Sequence, residues 1–190
     1  MYFKKMVGKK CYLSTINIED YEKYTKWVND MEVAAGLVFA SKLIDVHCEK
    51  SALERLSSSG YNFAIVDLEK DEVIGNCGFP SLDQVNRRGE VGIFIGNKDY
   101  WGKEYGKEAL NLLLDFGFSI LNLHSISLKV YSFNKQAIKC YKKVGFKEAG
   151  RLRDAKFISG CSYDEVFMDI LDTEYKSPYI NEIIQKKLGN

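Results

Sequence analysis

The stretch from residue 92 to residue 110 changes its pattern from an apolar run, through a glycine-containing turn, to a helix. Residues 92–95 (Gly-Ile-Phe-Ile) are typical of a strand end, and Tyr105 begins a helix with one apolar face. Gly102 in the turn and Gly106 at the start of the helix let the backbone approach a ligand. The first helical turn also leaves unpaired N–H groups with a positive partial charge. This arrangement suits a phosphate or pyrophosphate, although turns also collect glycine for structural reasons.

Composition limits the class of protein. A chain of 190 residues with 46% hydrophobic content predicts one domain, 1–190, with a single substantial core. A net charge of +1 gives no basic footprint, so nucleic acid is not an expected partner. The five cysteines lack close paired spacing, which favours reduced thiols over disulfides or zinc. The two histidines lie far apart, so no metal is expected.

The chain contains no apolar segment of the length that a signal peptide core or a membrane span requires. We therefore expect a cytoplasmic protein without a membrane partner.

Periodicity predicts alternating groups of helices and strands. Asn17 caps a first helix, and a second helix runs from Asp45 to Ser57. Strands follow at 61–67, 72–79 and 88–95, then a helix from Tyr105 to Leu121, and the strands at 88–95 and 125–130 should be parallel. The remaining predicted elements are a first strand at 11–13, a helix from Asn134 to Gly145, a strand at 162–171 and a helical tail at 178–190.

A second segment, residues 134–146 (Asn-Lys-Gln-Ala-Ile-Lys-Cys-Tyr-Lys-Lys-Val-Gly-Phe), follows the strand at 125–130. Together with the first segment it resembles the GNAT superfamily of acyl-CoA-dependent N-acetyltransferases. Within that superfamily it is similar to the RimJ/RimL-like branch of ribosomal-protein N-terminal and spermidine acetyltransferases, which also carries a segment like residues 118–124. The resemblance covers about residues 10–172.

The resemblance implies a mixed α/β (α+β) fold. Its sheet would be seven-stranded and mostly antiparallel, flanked by about four helices and splayed at strands four and five. The pantetheine arm of the coenzyme would pair there with the backbone of Phe94 and Ile95. The two N-terminal helices and residues 33–41 between them would form a wall of the acceptor pocket.

In the family, backbone amides of the first segment hold the pyrophosphate of coenzyme A. This chain departs from the family pattern at two positions, because Trp101 stands first in the loop and Glu104 replaces its first glycine. A carboxylate beside a dianion weakens binding unless it points into solvent, and Lys103 and Lys107 offset its charge. The residues predicted to bind acetyl-CoA are Phe94, Ile95, Trp101, Gly102, Lys103, Glu104, Tyr105, Gly106, Lys107 and Asn134.

Two side chains are predicted to be catalytic. Tyr141 matches the family tyrosine that donates a proton to the coenzyme sulfur, although a helix tyrosine packed against the sheet is the structural alternative. Glu90 is the candidate base for the acceptor ammonium, and its alternative is an exposed carboxylate on a half-solvated strand. Asn134 caps its helix, contacts the coenzyme, or does both.

The resemblance implies an acetyl-CoA-dependent enzyme that acetylates a primary amine by direct transfer in a ternary complex. A peptide or protein α-amine, a polyamine such as spermidine and an antibiotic amine all remain open as acceptors. A catalytically silent coenzyme A-binding sensor or regulatory domain is the alternative from another class. The tail at 178–190 could dock on the domain or on a second subunit, so a homodimer is left open.

Overall fold

The computed structural model describes residues 1–37, 40–176 and 179–189. Its strands are β1 Met6–Val7, β2 Cys11–Ser14, β3 Asn62–Asp67, β4 Val73–Asp83, β5 Arg88–Ile95, β6 Ser125–Tyr131, β7 Lys147–Ile158 and β8 Cys161–Leu171. Its α-helices are α1 Tyr21–Val28, α2 Met31–Ala34, α3 Val46–Ser58, α4 Tyr105–Asp115, α5 Lys135–Val144 and α6 Ile180–Leu188.

Local capping explains where several helices begin and end. The Asp45 side chain accepts hydrogen bonds from the second and third backbone N–H groups of α3, which begins one residue after the predicted start. Helix α5 ends at Gly145, whose φ of 119° is a conformation that glycine adopts without a steric cost. Asn17 caps a short 3₁₀ turn, Ile18–Asp20, instead of α1 itself.

The sheet has eight strands in the order β1-β2-β3-β4-β5-β6-β8-β7, so the predicted count of seven is wrong. The described residues form six α-helices, more than the predicted four. β1 has only two residues, and α2 only four, which is too short for periodicity to show. β7 is exposed along most of its length, so its sequence does not alternate as a half-buried strand does.

The mixed and mostly antiparallel architecture is confirmed. β5 and β6 pair in parallel, whereas the registered pairs β1–β2, β2–β3, β3–β4, β6–β8 and β7–β8 are antiparallel. The parallel register joins Arg88 with Ser125 and ends at Glu90 with Ser127. The rest of β5 lies beyond this paired stretch, as the predicted splay of the two strands requires.

Close contacts group the chain into two compact units. The first consists of Met1–Pro80 and Gly92–Leu112, and the second of Ser81–Val91 and the described residues from Leu113 onward. The core of the first unit contains Tyr12, Ile16, Tyr24, Leu53, Ala64, Val66 and Val73. In the second unit, one face of β6 and β8 is buried through Ile126, Leu128, Val130, Val166, Met168 and Ile170. β4, β5 and α4 contribute residues to both units, and a single domain over 1–190 stays a prediction.

The helix predicted from Tyr105 to Leu121 consists of α4 and a π-helical turn, Phe116–Ile120. Asp115 at the junction is fully buried, and its Oδ2 accepts the backbone N–H groups of Tyr179 (2.8 Å) and Ile180 (2.9 Å). This carboxylate therefore caps the first turn of α6, which lies within the predicted helical tail.

Of the predicted link 33–41 and the tail 178–190, residues 38, 39, 178 and 190 lie outside the described residues.

The five cysteines are all free thiols in the structure. Cys11 and Cys77 are buried, and burial raises the pKa of both. Cys48 and Cys161 are exposed, the latter beside the turn that joins β7 to β8, where Ser159 has a φ of 52°.

Candidate active site

The turn before α4 has the backbone of an anion-binding loop. Gly102 has a φ of 70° and Glu104 a φ of 68°, whereas φ is negative at Lys103 and Tyr105. Such alternation points successive N–H groups toward one side of the chain, which forms a concave site for an anion. The loop then enters α4, whose first turn adds the positive end of a helix dipole.

Glu104 keeps the left-handed backbone conformation although it replaces a glycine. Its side chain is exposed, and its carboxylate lies 3.2 Å from the Lys107 ammonium. The ion pair offsets the charge of Glu104, as the sequence predicts. The left-handed φ is a cost that the sequence pattern alone does not reveal, because residues with a Cβ disfavour this conformation.

Gly106 has no internal reason to be glycine. Its φ is not positive, and a Cβ built there would lie 3.8 Å from Ile95 Cγ1, an ordinary contact distance. Glycine inside a helix costs about 1 kcal/mol relative to alanine. The predicted contact of Gly106 with a ligand stays a prediction, and no contact within the described residues explains the missing side chain.

Trp101 connects the loop to the end of β5. Its indole Nε1–H donates to the carbonyl oxygen of Ile95 at 2.8 Å, and its ring is half-buried. The tryptophan at the first loop position therefore fixes the loop relative to the strand end at which the coenzyme arm is predicted to pair.

The end of β5 is surrounded by aromatic rings. The Phe94 ring lies 6.0 Å from that of Tyr24 and 6.2 Å from that of Trp27, centroid to centroid, in edge-to-face contacts. Trp27 also covers Gly96, where a Cβ would lie 2.3 Å from the indole. At Gly75 a Cβ would lie 2.1 Å from the Phe94 carbonyl oxygen, so both glycines are required by packing. Tyr24 and Trp27 therefore pack against the end of β5.

Glu108 anchors the first turns of α4. Its carboxylate accepts the backbone N–H groups of Lys9 (2.9 Å), Lys10 (2.7 Å) and Cys11 (2.8 Å). A Cβ at Gly8 would lie 2.6 Å from Glu108 Cδ, so this approach requires glycine. Sequence reasoning missed this contact, because only the glycine and two lysines before β2 mark the turn.

Two further contacts fix the loop. The Lys10 ammonium donates to the Lys103 carbonyl oxygen at 3.0 Å. The Tyr105 hydroxyl donates to Asp67 Oδ1 at 2.6 Å, and this hydrogen bond is the main cause that raises the pKa of Tyr105. Tyr105 therefore directs its hydroxyl to β3, and what it can offer a ligand is its backbone N–H.

In the second unit, Asn134 caps α5. Its Oδ1 accepts the backbone N–H of Ala137 at 3.1 Å, and its side chain is half-buried. The capping prediction is confirmed, and coenzyme contact by the same residue stays a prediction.

Tyr141 lies on α5 with its ring 6.1 Å from that of Phe146, edge to face. Within residues 1–37, 40–176 and 179–189, its hydroxyl has no hydrogen-bond partner. Burial raises the pKa of Tyr141 well above its usual value, with a smaller contribution from Cys140. The phenol therefore stays protonated at neutral pH and has its hydrogen available for a ligand.

Glu90 lies on β5 opposite Ser127 of β6. Its Oε2 lies 3.0 Å from the ammonium of Lys129, and its side chain is one-third exposed (33%). The exposed-carboxylate alternative is thus partly correct, because Glu90 is half-solvated but ion-paired. A base at this position would therefore act directly beside the ammonium of Lys129.

The described residues contain no group of three or more histidine, cysteine or acidic side chains that could hold a metal ion. None of the helices in the described part of the chain combines the length and apolar character needed to cross a bilayer.

Comparison with known proteins agrees with this geometry. Residues 10–147 match the family described as "Acetyltransferase (GNAT) domain". The chain is 33% identical over 168 residues to an N-acetyltransferase named p20 from Bacillus licheniformis, which covers 86% of this chain and 93% of that protein. It is 34% identical over 113 residues to the spermidine N(1)-acetyltransferase of Vibrio cholerae, which covers 60% of this chain and 64% of that protein.

A solved structure of spermidine N-acetyltransferase from Vibrio cholerae, in complex with CoA and spermine, has the same fold. It superposes with a TM-score of 0.77 at 24% identity, over 88% of this chain and 99% of that one. The predicted family and branch are confirmed: the chain belongs to the GNAT family of N-acetyltransferases.

Proposed function

We propose that the chain acts as one acetyltransferase domain that transfers the acetyl group of acetyl-CoA to a primary amine. The observation that carries the proposal is the loop from Trp101 to Lys107. It combines an alternating backbone with a glycine at position 106 that no internal contact requires. The bound CoA in the solved Vibrio cholerae relative supports coenzyme A as the ligand of such a loop.

The charge and shape of this loop fit a pyrophosphate. Backbone N–H groups from Gly102 to Lys107 would hold it, and the Glu104–Lys107 ion pair limits the repulsion from the acidic side chain. Backbone of Phe94 and Ile95 would pair with the pantetheine arm, and an N–H group near Ile95 would stabilise the oxyanion of the thioester carbonyl.

In the proposed reaction, the nitrogen of a neutral amine attacks the thioester carbonyl carbon. The carbon–sulfur bond then breaks, and coenzyme A leaves as a thiolate that takes up one proton. The acceptor enters as an ammonium, so it loses one proton before the attack and one after it, and one proton is released overall. Glu90, directly or through a water molecule, would accept the first.

Tyr141 would assist the leaving group. Since its pKa is raised by burial, the phenol is a weaker acid than a thiol, whose pKa is about 8.5. A full proton transfer to the thiolate is therefore uphill, and the hydroxyl acts mainly by donating a hydrogen bond to the developing sulfur charge.

The spermidine acetyltransferase relatives favour a polyamine among the acceptors, ahead of a peptide α-amine or an antibiotic. The Glu90–Lys129 ion pair favours a silent coenzyme A-binding domain, because the carboxylate already contacts a cation of the chain instead of being free for the acceptor ammonium.

Thermal-shift titration with acetyl-CoA and free CoA, together with a thiol-release assay over an amine panel, tests the proposal. We expect stabilisation by both ligands and thiol release that depends on the acceptor. Stabilisation without acceptor-dependent release would identify a silent binding domain, and the absence of both would reject coenzyme binding.

A further inference from the structure

Three aromatic side chains of the second unit form a continuous surface. The rings of Tyr131 and Phe133 are stacked at 5.7 Å with an interplanar angle of 18°. Phe133 meets Tyr163 edge to face at 5.1 Å. All three side chains are half-buried, so each keeps part of its ring accessible. We call Tyr131, Phe133 and Tyr163 the aromatic platform.

An acidic side chain flanks this platform. Strand pairing places Glu165 directly opposite Tyr131, and directly opposite residues project from the same face of a sheet. Tyr163 lies on that face too, two residues before Glu165 on β8. In the part of the chain that the structure describes, the Glu165 carboxylate has no hydrogen bond and no ion pair, and it is half-buried.

A cation already sits on the platform. The ammonium of Lys156 lies over the Tyr131 ring, 5.2 Å from its centroid, within the range of a cation–π contact. Lys156 is opposite Tyr163 in the register of β7 with β8, at the exposed end of the hairpin. The chain thus supplies its own ammonium to this surface while the nearby carboxylate is unpaired.

The platform shares its sheet face with the proposed base. Glu90 pairs with Lys129, which lies two residues before Tyr131 on β6 and so projects from the same face. Phe133 immediately precedes Asn134, the cap of the helix that carries Tyr141. The platform is thus close along the chain to Lys129, the partner of Glu90, and to Asn134, which is predicted to contact the coenzyme.

We infer that the aromatic platform and Glu165 bind a second ammonium group of the acceptor, which is then a polyamine, and that Lys156 occupies the platform until the acceptor displaces it. This inference rests on the proposed acetyltransferase function. A monoamine or a peptide with a single terminal ammonium has no group for this surface. A polyamine presents a further cation that an aromatic face and a carboxylate both attract.

Steady-state kinetics with spermine and with hexylamine tests the inference. Tyr131→Leu should raise the KM for spermine at least about threefold and change kcat by less than about twofold, because only a binding contact is lost. Its KM for hexylamine should not change. Tyr131→Phe retains the ring and should restore most of the spermine affinity.

Two other variants change the charges in opposite directions. Glu165→Gln should raise the KM for spermine, whereas Lys156→Met should lower it about two- to fivefold, because a competing ammonium is removed. Phe157→Leu is the matched control on the same hairpin, because Phe157 is 71% exposed and is neither a residue of the aromatic platform nor one of the two charged residues. An unchanged KM for spermine in both Tyr131→Leu and Lys156→Met would overturn the inference.

Calorimetric titration of spermine into the protein without acetyl-CoA separates the two proposals. If the parent shows no acceptor-dependent thiol release, the proposed function fails, but the titration still tests the platform. Weaker spermine binding by Tyr131→Leu than by the parent supports spermine binding at the platform. Equal binding by the parent and the variant, or no binding by either, contradicts it.

Discussion

The carboxylate of Glu108 accepts the backbone N–H of Cys11 at 2.8 Å, so the first turns of α4 are tied to the start of β2. Because hydrogen bonds to a charged acceptor contribute more than neutral ones, Glu108→Gln should lower the free energy of unfolding by about 1–3 kcal/mol. It should also weaken acetyl-CoA binding, since the loop before α4 loses its anchor.

Urea unfolding and calorimetry measure the two effects of this change. Glu69→Gln is the matched control, because Glu69 is an exposed glutamate in a turn of the same unit. If Glu108→Gln behaves as the control does, Glu108 does not position the loop.

Gly106 provides a test of the ligand position. Gly106→Ala should stabilise the helix by up to about 1 kcal/mol, because a Cβ meets only an ordinary contact there. The same variant should weaken acetyl-CoA binding, and Gly106→Asp should weaken it much more through like-charge repulsion. Calorimetric titration that finds the parent affinity in Gly106→Asp would remove the pyrophosphate from this turn.

Glu104 allows backbone strain and charge to be separated. Glu104→Gly should raise the free energy of unfolding by about 0.5–1 kcal/mol, since glycine adopts the left-handed conformation without the Cβ penalty. It should also strengthen acetyl-CoA binding, because a carboxylate leaves the loop.

Ser159→Gly is the matched control for Glu104→Gly, since Ser159 has a φ of 52° in the exposed turn between β7 and β8. It should give a similar gain in stability with no change in coenzyme affinity. A tighter affinity in both variants, or in neither, contradicts a charge effect of Glu104 on the ligand.

Tyr141→Phe should lower kcat by about 10²-fold, the lower end of general-acid effects, because the hydroxyl donates a hydrogen bond instead of a full proton. Burial raises the pKa of Tyr141, so the phenol is protonated at all pH values below that raised pKa. No limb of the pH–rate profile between pH 7 and 9 should therefore disappear in the variant. A loss smaller than about threefold in single-turnover kinetics would make the hydroxyl structural.

Glu90→Gln removes the proposed base but keeps the shape of the side chain. The variant should be less active near pH 7 and recover partly toward pH 9, because amines with pKa values of about 8–10 then deprotonate by themselves. Glu148→Gln removes another exposed, ion-paired carboxylate, in this case one bonded to Arg151, and should match the parent. A Glu90→Gln profile that overlays the parent would assign the proton to solvent.

Sequence reasoning recovered the elements in which periodicity and capping agree, such as α3 after Asp45 and α5 between Asn134 and Gly145. It missed β7, because a strand exposed on both faces does not alternate, and the two-residue β1. In the site, the glycines at 102 and 106 indicated the loop.

The partners of the loop could not be predicted, because they come from distant parts of the chain. The backbone N–H groups that bind Glu108 lie almost a hundred residues earlier, and the sequence around them does not indicate that they bind a carboxylate of α4. The pairing of Glu90 with Lys129 likewise depends on the parallel register of two strands, which a pattern of residue types does not determine.

The positions of the free thiols determine the background signal of an assay that measures released coenzyme A. A colorimetric reagent that detects released coenzyme A also reacts with protein thiolates, and Cys161 is exposed beside the β7–β8 turn. Cys48 is exposed as well, but the charge of Asp45 raises the pKa of its thiol and so slows its reaction. Cys161→Ser should therefore remove most of the background, and a fluorophore attached to Cys161 in the parent places an optical reporter on the hairpin that carries Lys156.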